Sequence, residues 1–305
     1  MTTAAAFAPR PNGLLPSQDD RCQVMGIINV TTDSFSDGGW FLDIDSAVAR
    51  GQQLLRDGAD LLDVGGESTR PGAQRVSEAE ELERVIPVVR ALAQDGLPVS
   101  VDTMRASVAR EAVLAGALMV NDVSGGLADP DMLPLLAEVE VACVLMHWRA
   151  HSMQMDEHAS YTSVVSDVRG ELAKRAEAAM RAGIRPERIV LDPGLGFAKN
   201  ADHCWDLLAG LPELASLGFP LLVGASRKRF LAECVTYGRR VASDPADRDE
   251  VSDAVAAFAA TSGAWGVRVH SVARAAAASR VARRLGAAPC GLPDSQPVGD
   301  ERCSR

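Results

Sequence analysis

The chain has 305 residues, of which 47 % are apolar, and its formal net charge is −10. That length suits one α/β barrel and supplies a sizeable core. The acidic balance excludes a general nucleic-acid-binding protein, which needs a basic face, but leaves room for a local cationic pocket. Cys22, Cys143, Cys204, Cys234, Cys290 and Cys303 contain no CxxC pair, so no disulfide framework, thiolate metal site or dithiol redox centre is indicated. Cys143 lies in an apolar run and reads as a buried small residue. The opening residues, Met1 to Phe7, have neither a basic start nor a long apolar stretch, and no apolar run is long enough to span a bilayer. The expectation is a soluble, cytoplasmic protein without membrane contact.

Residues 1–21 are rich in Pro, Ala and polar groups without periodicity and predict a disordered arm. From 22 to 286 short apolar runs alternate with longer amphipathic stretches, with no linker that would divide domains. The pattern predicts strand 24–29 then helix 44–57, strand 60–64 then helix 78–94, and strand 98–101 then helix 105–115. It continues with strand 118–121 and helix 130–138, strand 141–146 and helix 164–182, and strand 189–192 and helix 203–215. Strand 220–224 with helix 250–263 and strand 266–270 with helix 271–285 complete the set. Glycines such as Gly58 and Gly183 end an amphipathic run just before a strand, where a left-handed residue stops a helix. Segments 148–163 and 235–249 lack apolar periodicity and read as surface loops, and 287–305 reads as a disordered tail. Eight strands separated by helices predict a parallel sheet. Closure into a (β/α)8 TIM barrel is the simplest architecture; an open doubly wound sheet is the alternative and suits fewer strands.

The chemistry sits where the strands stop. The first runs into Asn29-Val30-Thr31 and a small polar loop ending at Gly38-Gly39. The second leads to Gly65-Gly66-Glu67-Ser68-Thr69-Arg70-Pro71-Gly72, in which Arg70 offers a planar fork for phosphate. The third ends at Asp102, the fourth gives Asn121, the fifth ends at Met146-His147 and the sixth gives Asp192-Pro193-Gly194. The seventh runs into Ser226-Arg227-Lys228-Arg229, and the eighth carries Arg268 and His270, which share a face because they are two apart. With Arg70 these cations form a patch for a phosphoryl group. Asp102, Asp192, Asn121 and Lys228 add the donors and acceptors that suit the edges of a flat heterocycle.

Each feature also has a plain structural explanation. Asp63, inside an apolar run, reads as a hydrogen-bonding residue of the barrel interior rather than a catalyst. Asp192 before Pro193 suits a turn cap. His147, His151 and His158 fit no compact zinc spacing and read as loop or supporting residues, and His203 reads as a helix-surface residue. Recurrence decides the balance: one polar strand end favours structure, whereas polar groups at every strand end favour a site.

Four of these segments, Asn29 to Gly39, Asp63 to Gly72, Leu191 to Phe197 and Gly224 to Lys228, resemble the motifs of dihydropteroate synthases. They stand in the same order, within a resemblance running from about Val24 to about Leu285. The bacterial, single-activity members are the most similar. The resemblance implies a (β/α)8 barrel, a homodimer, Mg²⁺ as cofactor, and folate biosynthesis. The implied reaction joins 6-hydroxymethyl-7,8-dihydropterin pyrophosphate to 4-aminobenzoate, with sulfonamides as competing ligands. By the same resemblance Asp102, Asn121, Met146, Asp192 and Lys228 hold the pterin, with Arg268 stacked on its face. Asn29, Arg70, Arg268 and His270 hold the pyrophosphate, Asn29 also serving the metal. Phe35, Thr69, Pro71, Phe197, Lys228 and Arg229 line the aminobenzoate side, and Asp37 acts from the first loop. Arg229 stands where many members have Ser; it either pairs with the aminobenzoate carboxylate or points away. The alternatives are a non-catalytic pterin-binding paralogue, a corrinoid-dependent methyltransferase and an aldolase using Lys228 as a Schiff-base amine.

Overall fold

Short runs of apolar and β-branched residues, each followed by polar or glycine residues, become strands buried on both faces. The computed structural model describes residues 21–30, 44–68, 75–151, 155–235 and 244–286. In it the runs form β1 (Gln23–Asn29), β2 (Leu61–Gly65), β3 (Val99–Asp102), β4 (Met119–Asp122), β5 (Ala142–Met146), β6 (Ile189–Asp192), β7 (Leu222–Val223) and β8 (Gly266–Val269). Every neighbouring pair is parallel, in the order β6-β5-β4-β3-β2-β1-β8-β7. One bridge, Leu191 to Leu221, joins the two ends of the sheet, and the Leu191 N–H donates to the Pro220 carbonyl at 2.9 Å. The sheet therefore closes into the expected (β/α)8 barrel.

The helices between the strands are α1 (Ile44–Arg56), α2 (Glu78–Gln94), α3 (Ala106–Leu114), α4 (Met132–Val139), α5 (Val164–Arg181), α6 (Ala201–Ala209), α7 (Leu211–Ala215), α8 (Asp249–Thr261) and α9 (Val272–Gly286). Alternation along each strand divides the core in two. One set of residues, including Val24, Ile28, Leu62, Val101 and Leu191, packs outward against the helices. The other set, Met25, Leu61, Met119, Ala142, Val144, Val190 and Leu222, fills the barrel interior with Trp265 at its edge. This inward set continues toward the C-terminal rim through Asp63, Asp102, Asn121, Met146, Asp192 and Arg268, so the period of two that builds the core also delivers the polar groups. Helix α2 starts at Ser77, whose side chain accepts the Glu80 N–H at 3.2 Å. Gly58 and Gly183 are left-handed, with φ of 104° and 105°.

Several boundaries differ from expectation. The predicted helix 203–215 is two helices, because Pro212 is tolerated only in the first turn of a new one. It also begins earlier, since Asn200 caps it: the His203 N–H donates to Asn200 Oδ1 at 2.8 Å. The seventh strand shrinks to two residues, and His270 follows β8 rather than ending it. The two predicted loops contain 3-10 turns at Met155–His158 and Pro245–Arg248, and a third runs Arg229–Cys234 behind Lys228. The predicted tail and the arm up to residue 20 lie outside the described residues. Among the described residues no helix is long and apolar enough to cross a membrane.

Candidate active site

The rim at the C-terminal ends of the strands gathers the side chains that the strand ends singled out. Arg268, on β8, donates through Nε to Asp63 Oδ2 at 2.6 Å and through Nη2 to Asp102 Oδ2 at 2.8 Å. Asn121, on β4, donates through Nδ2 to the same Asp63 oxygen at 2.9 Å. The other oxygen, Asp63 Oδ1, is buried with no partner. These contacts follow from register: Asp102 lies between Gly65 and Asn121, and Met25 brings Arg268 beside β1.

Across the barrel, the second half of the site forms around Gly224. A Cβ built there would stand 3.7 Å from Asp192 Oδ2, 3.9 Å from Lys228 Nζ and 3.9 Å from Arg268 Cβ. A carboxylate and an ammonium thus converge, beside the stem of Arg268, on space that glycine leaves open. Asp192 Oδ1 accepts the Gly194 N–H at 2.7 Å, so this residue serves the turn as well as the site. Lys228 donates to the Leu195 carbonyl, and its Nζ lies 4.8 Å from the centre of the Phe197 ring. Met146 packs with Met104 and Val123 and against Phe197 and Trp148, forming an apolar wall. His270 pairs with Ser226, Nδ1 to Oγ at 3.0 Å, and its backbone N–H donates to the same hydroxyl at 3.2 Å.

Burial controls the electrostatics. It pushes the Asp102 carboxyl up to about 7, outweighing the opposing pull of Arg268, with Asp63 adding to the rise. Burial also raises Asp192 against the pull of Lys228, and it lowers Lys228 to about 8 despite Asp192. The Arg268 guanidinium is raised: burial works against its charge, but Asp63 and Asp102 together prevail. Asp102 and Lys228, both brought close to neutrality, suit a pocket that recognises a heterocycle through both donors and acceptors.

Asn29, the last residue of β1, is half-buried at the rim, and Arg229 is exposed at the start of the 3-10 turn behind Lys228. Phe35, Asp37, Thr69, Arg70 and Pro71 lie outside the described residues. The segment 69–74 is bracketed by Arg105, which donates to Glu67 Oε2 at 2.8 Å on one side and to the Val76 carbonyl at 2.6 Å on the other. Sequence reasoning missed Arg105, Lys199 and Tyr161. It placed Asp63 in the interior correctly but did not see that this carboxylate holds two residues of the rim. Nothing in strand periodicity reports such cross-barrel contacts. For Lys199, an isolated cation after Gly194-Leu195-Gly196-Phe197-Ala198 was the available signal.

Fold and rim define a barrel enzyme of the pterin-binding class, and a family profile described as "Pterin binding enzyme" matches residues 25–270. A dihydropteroate synthase of Mycobacterium leprae is 52 % identical over 251 residues, covering 82 % of this chain and 88 % of the relative. The Xanthomonas albilineans dihydropteroate synthase, solved with 4-aminobenzoic acid, superposes with a TM-score of 0.80 at 47 % identity, covering 88 % of this chain and 95 % of that one. Its complex with 7,8-dihydropteroate gives a TM-score of 0.78 at 45 % identity over the same shares, 88 % and 95 %. The Yersinia pestis dihydropteroate synthase, solved with a sulfonamide drug, gives 0.81 at 42 % identity, covering 88 % and 95 %. The chain belongs to the dihydropteroate synthase family.

Proposed function

We propose that the chain catalyses the dihydropteroate synthase reaction, condensing 6-hydroxymethyl-7,8-dihydropterin pyrophosphate with 4-aminobenzoate to give 7,8-dihydropteroate and pyrophosphate. The observation that carries this reading is the convergence of Asp192, Lys228 and Arg268 on the space at Gly224, with Asp102 and Asn121 on the adjoining wall. The ligands of the solved relatives are, on this reading, substrate, product and competitor of this chain.

Asp102, Asn121, Asp192 and Lys228 hydrogen-bond the pterin edges, Met146 packs against it and Arg268 lies on its face. Arg268 uses two of its five N–H groups on Asp63 and Asp102 and keeps the others for phosphate oxygens. With His270, Arg70 and Asn29 it stabilises the leaving pyrophosphate as charge builds there. The bond from the pterin methylene carbon to the pyrophosphate oxygen breaks first, and its electron pair leaves with the oxygen. The electron-rich dihydropterin spreads the resulting positive charge, helped by Asp37. The arylamine nitrogen then attacks the methylene and releases a proton to solvent. A weak nucleophile of this kind gains more from positioning than from a strong base, and Phe35, Thr69, Pro71, Phe197, Lys228 and Arg229 supply that positioning. No covalent enzyme intermediate forms.

Asn29, at the end of β1 beside β8, offers a hard oxygen. Mg²⁺ keeps most of its waters and takes one or two protein ligands plus substrate phosphates, so this donor set fits it without an acidic cage. When bound, the ion withdraws charge from the leaving phosphate oxygens. The reading includes a homodimer, checked by sedimentation velocity.

The test incubates purified protein with dihydropterin pyrophosphate, 4-aminobenzoate and Mg²⁺, and follows dihydropteroate and pyrophosphate together. Equal amounts of both support the reading, and EDTA suppresses both. Tight pterin binding without product would instead make the chain a non-catalytic paralogue.

A further inference from the structure

The segment after β6 that carries Phe197 is fastened from outside the site by a closed chain of contacts, buried at Lys199 and His147 and half-buried at Glu171, Arg149 and Tyr161. Lys199 is only 7 % exposed. A lysine is kept inside a protein only when its ammonium finds partners. Here Nζ lies 2.8 Å from His147 Nδ1 and donates to the Phe197 carbonyl at 2.9 Å. Glu171, held low by its bond to His147, is an acceptor for Nε2, so the imidazole proton resides on Nε2 and Nδ1 accepts from Lys199. Nε2 faces Glu171 Oε2 at 2.9 Å, on α5.

Glu171 is held in turn by Arg149, through Nη2 at 2.5 Å and Nε at 3.2 Å. The Arg149 guanidinium lies 3.9 Å from the centre of the Tyr161 ring, and the Tyr161 hydroxyl donates to the Ala198 carbonyl at 2.9 Å. The chain of contacts thus leaves the segment at Phe197 and returns at Ala198, fixing two successive carbonyls. Between them Ala198 holds a left-handed backbone, φ 50°, which a residue with a Cβ adopts only when its surroundings enforce it. The Phe197 ring faces Lys228 Nζ on the site side.

We infer that Lys199 and Tyr161 are positioning residues for the aminobenzoate side of the site, setting Phe197 beneath Lys228 through the backbone they hold. The long connection after β5 therefore does more than link two elements, since it carries Arg149 and Tyr161 to the back of this segment. The inference rests on the proposed function, in which Phe197 and Lys228 receive 4-aminobenzoate. Asp102 and Asn121 lie away from Phe197, whereas Met146 and Lys228 touch it and serve both substrates, so the loss falls first on 4-aminobenzoate.

Lys199→Met keeps the length and apolar stem and removes both donations. Loss of a charge-assisted hydrogen bond gives an expected rise of about tenfold in KM for 4-aminobenzoate. Tyr161→Phe removes one neutral bond and gives roughly a threefold rise in the same parameter. In both variants the affinity for dihydropterin pyrophosphate stays within about twofold of the wild type, measured by calorimetry. Unchanged KM for 4-aminobenzoate in a folded variant, or an equal loss for both substrates, overturns the inference while the function stands. If Lys199→Met does not fold, Tyr161→Phe decides alone. A wild-type protein that makes no dihydropteroate overturns the functional reading itself.

Discussion

Asp63 is fully buried, and one of its oxygens receives both Arg268 and Asn121, at 2.6 and 2.9 Å. Asp63→Asn keeps the shape and removes the charge. Arg268 retains Asp102, so the guanidinium is not left unpaired, and the full 3–5 kcal/mol of a broken buried pair is an upper bound of roughly that size. Exchanging the ion pair to Arg268 for a bond to a neutral amide oxygen, with a weakened bond to Asn121, amounts to about 2–3 kcal/mol in stability. The variant also changes the charge of the rim. With every group counted as formally charged, three carboxylates (Asp63, Asp102, Asp192) face two cations (Lys228, Arg268), a sum of −1 that becomes 0. Asp63 is one of the charges that raise Asp102 to about 7, so its removal lowers that value. On the proposed reading an ionised Asp102 accepts the pterin N–H groups, so pterin affinity in the wild type is expected to climb as pH rises through neutrality. In Asp63→Asn the climb comes at lower pH and ends at a weaker plateau, because Arg268 and Asn121 are less well held. Urea denaturation reads the first effect, and calorimetric titration of dihydropterin pyrophosphate across neutral pH reads the second. A variant as stable as the wild type, with an unshifted pH profile, would refute the anchoring role.

Gly194→Ala puts a side chain on a backbone at φ 67° and drives its Cβ into the carbonyl oxygen of His147. The backbone penalty and the overlap together cost about 3 kcal/mol or more, visible as a lower thermal midpoint with lost activity. Glu171 is held down to about 2 from an ordinary value of 4.5, first by its bond to His147 and then by Arg149 against the opposing effect of burial. A depressed carboxyl contributes stability that is present above its unfolded value and fades as pH falls toward the folded one. The melting gap between wild type and Glu171→Gln is therefore full above pH 4.5 and narrows as pH falls toward 2. A gap independent of pH would contradict the assigned contact.

Much of this was legible in the sequence because a strand buried on both faces reads as an apolar run, and its polar terminus marks the rim. Asp102, Asn121, Met146, Asp192 and Arg268 all stand where that rule places them. Helix α2 matched its predicted limits, since the apolar stripe and the Ser77 cap agree. The break between α6 and α7 was written in Gly210-Leu211-Pro212, but a continuous amphipathic pattern masked it. What the sequence withheld is contact across the barrel. The bond from Arg268 to Asp63 spans 205 residues, and that from Lys199 to His147 spans 52. Such pairs depend on register and closure, which local periodicity does not encode.

The narrowness of β7 has a mechanical consequence. Along β1 to β6 the hoop of the barrel is sewn by continuous ladders, whereas β7 shares two residues with β8 and meets β6 through a single bridge. The hoop is nearly split at that clasp, and the cheapest breathing motion of the whole cylinder is a parting there. Asp192 stands on one lip of the split, and Lys228 follows the other. A heterocycle that grips both lips becomes the missing stitches. On the proposed reading part of its binding energy would go into stiffening the scaffold, leaving the barrel tautest with the substrate in place.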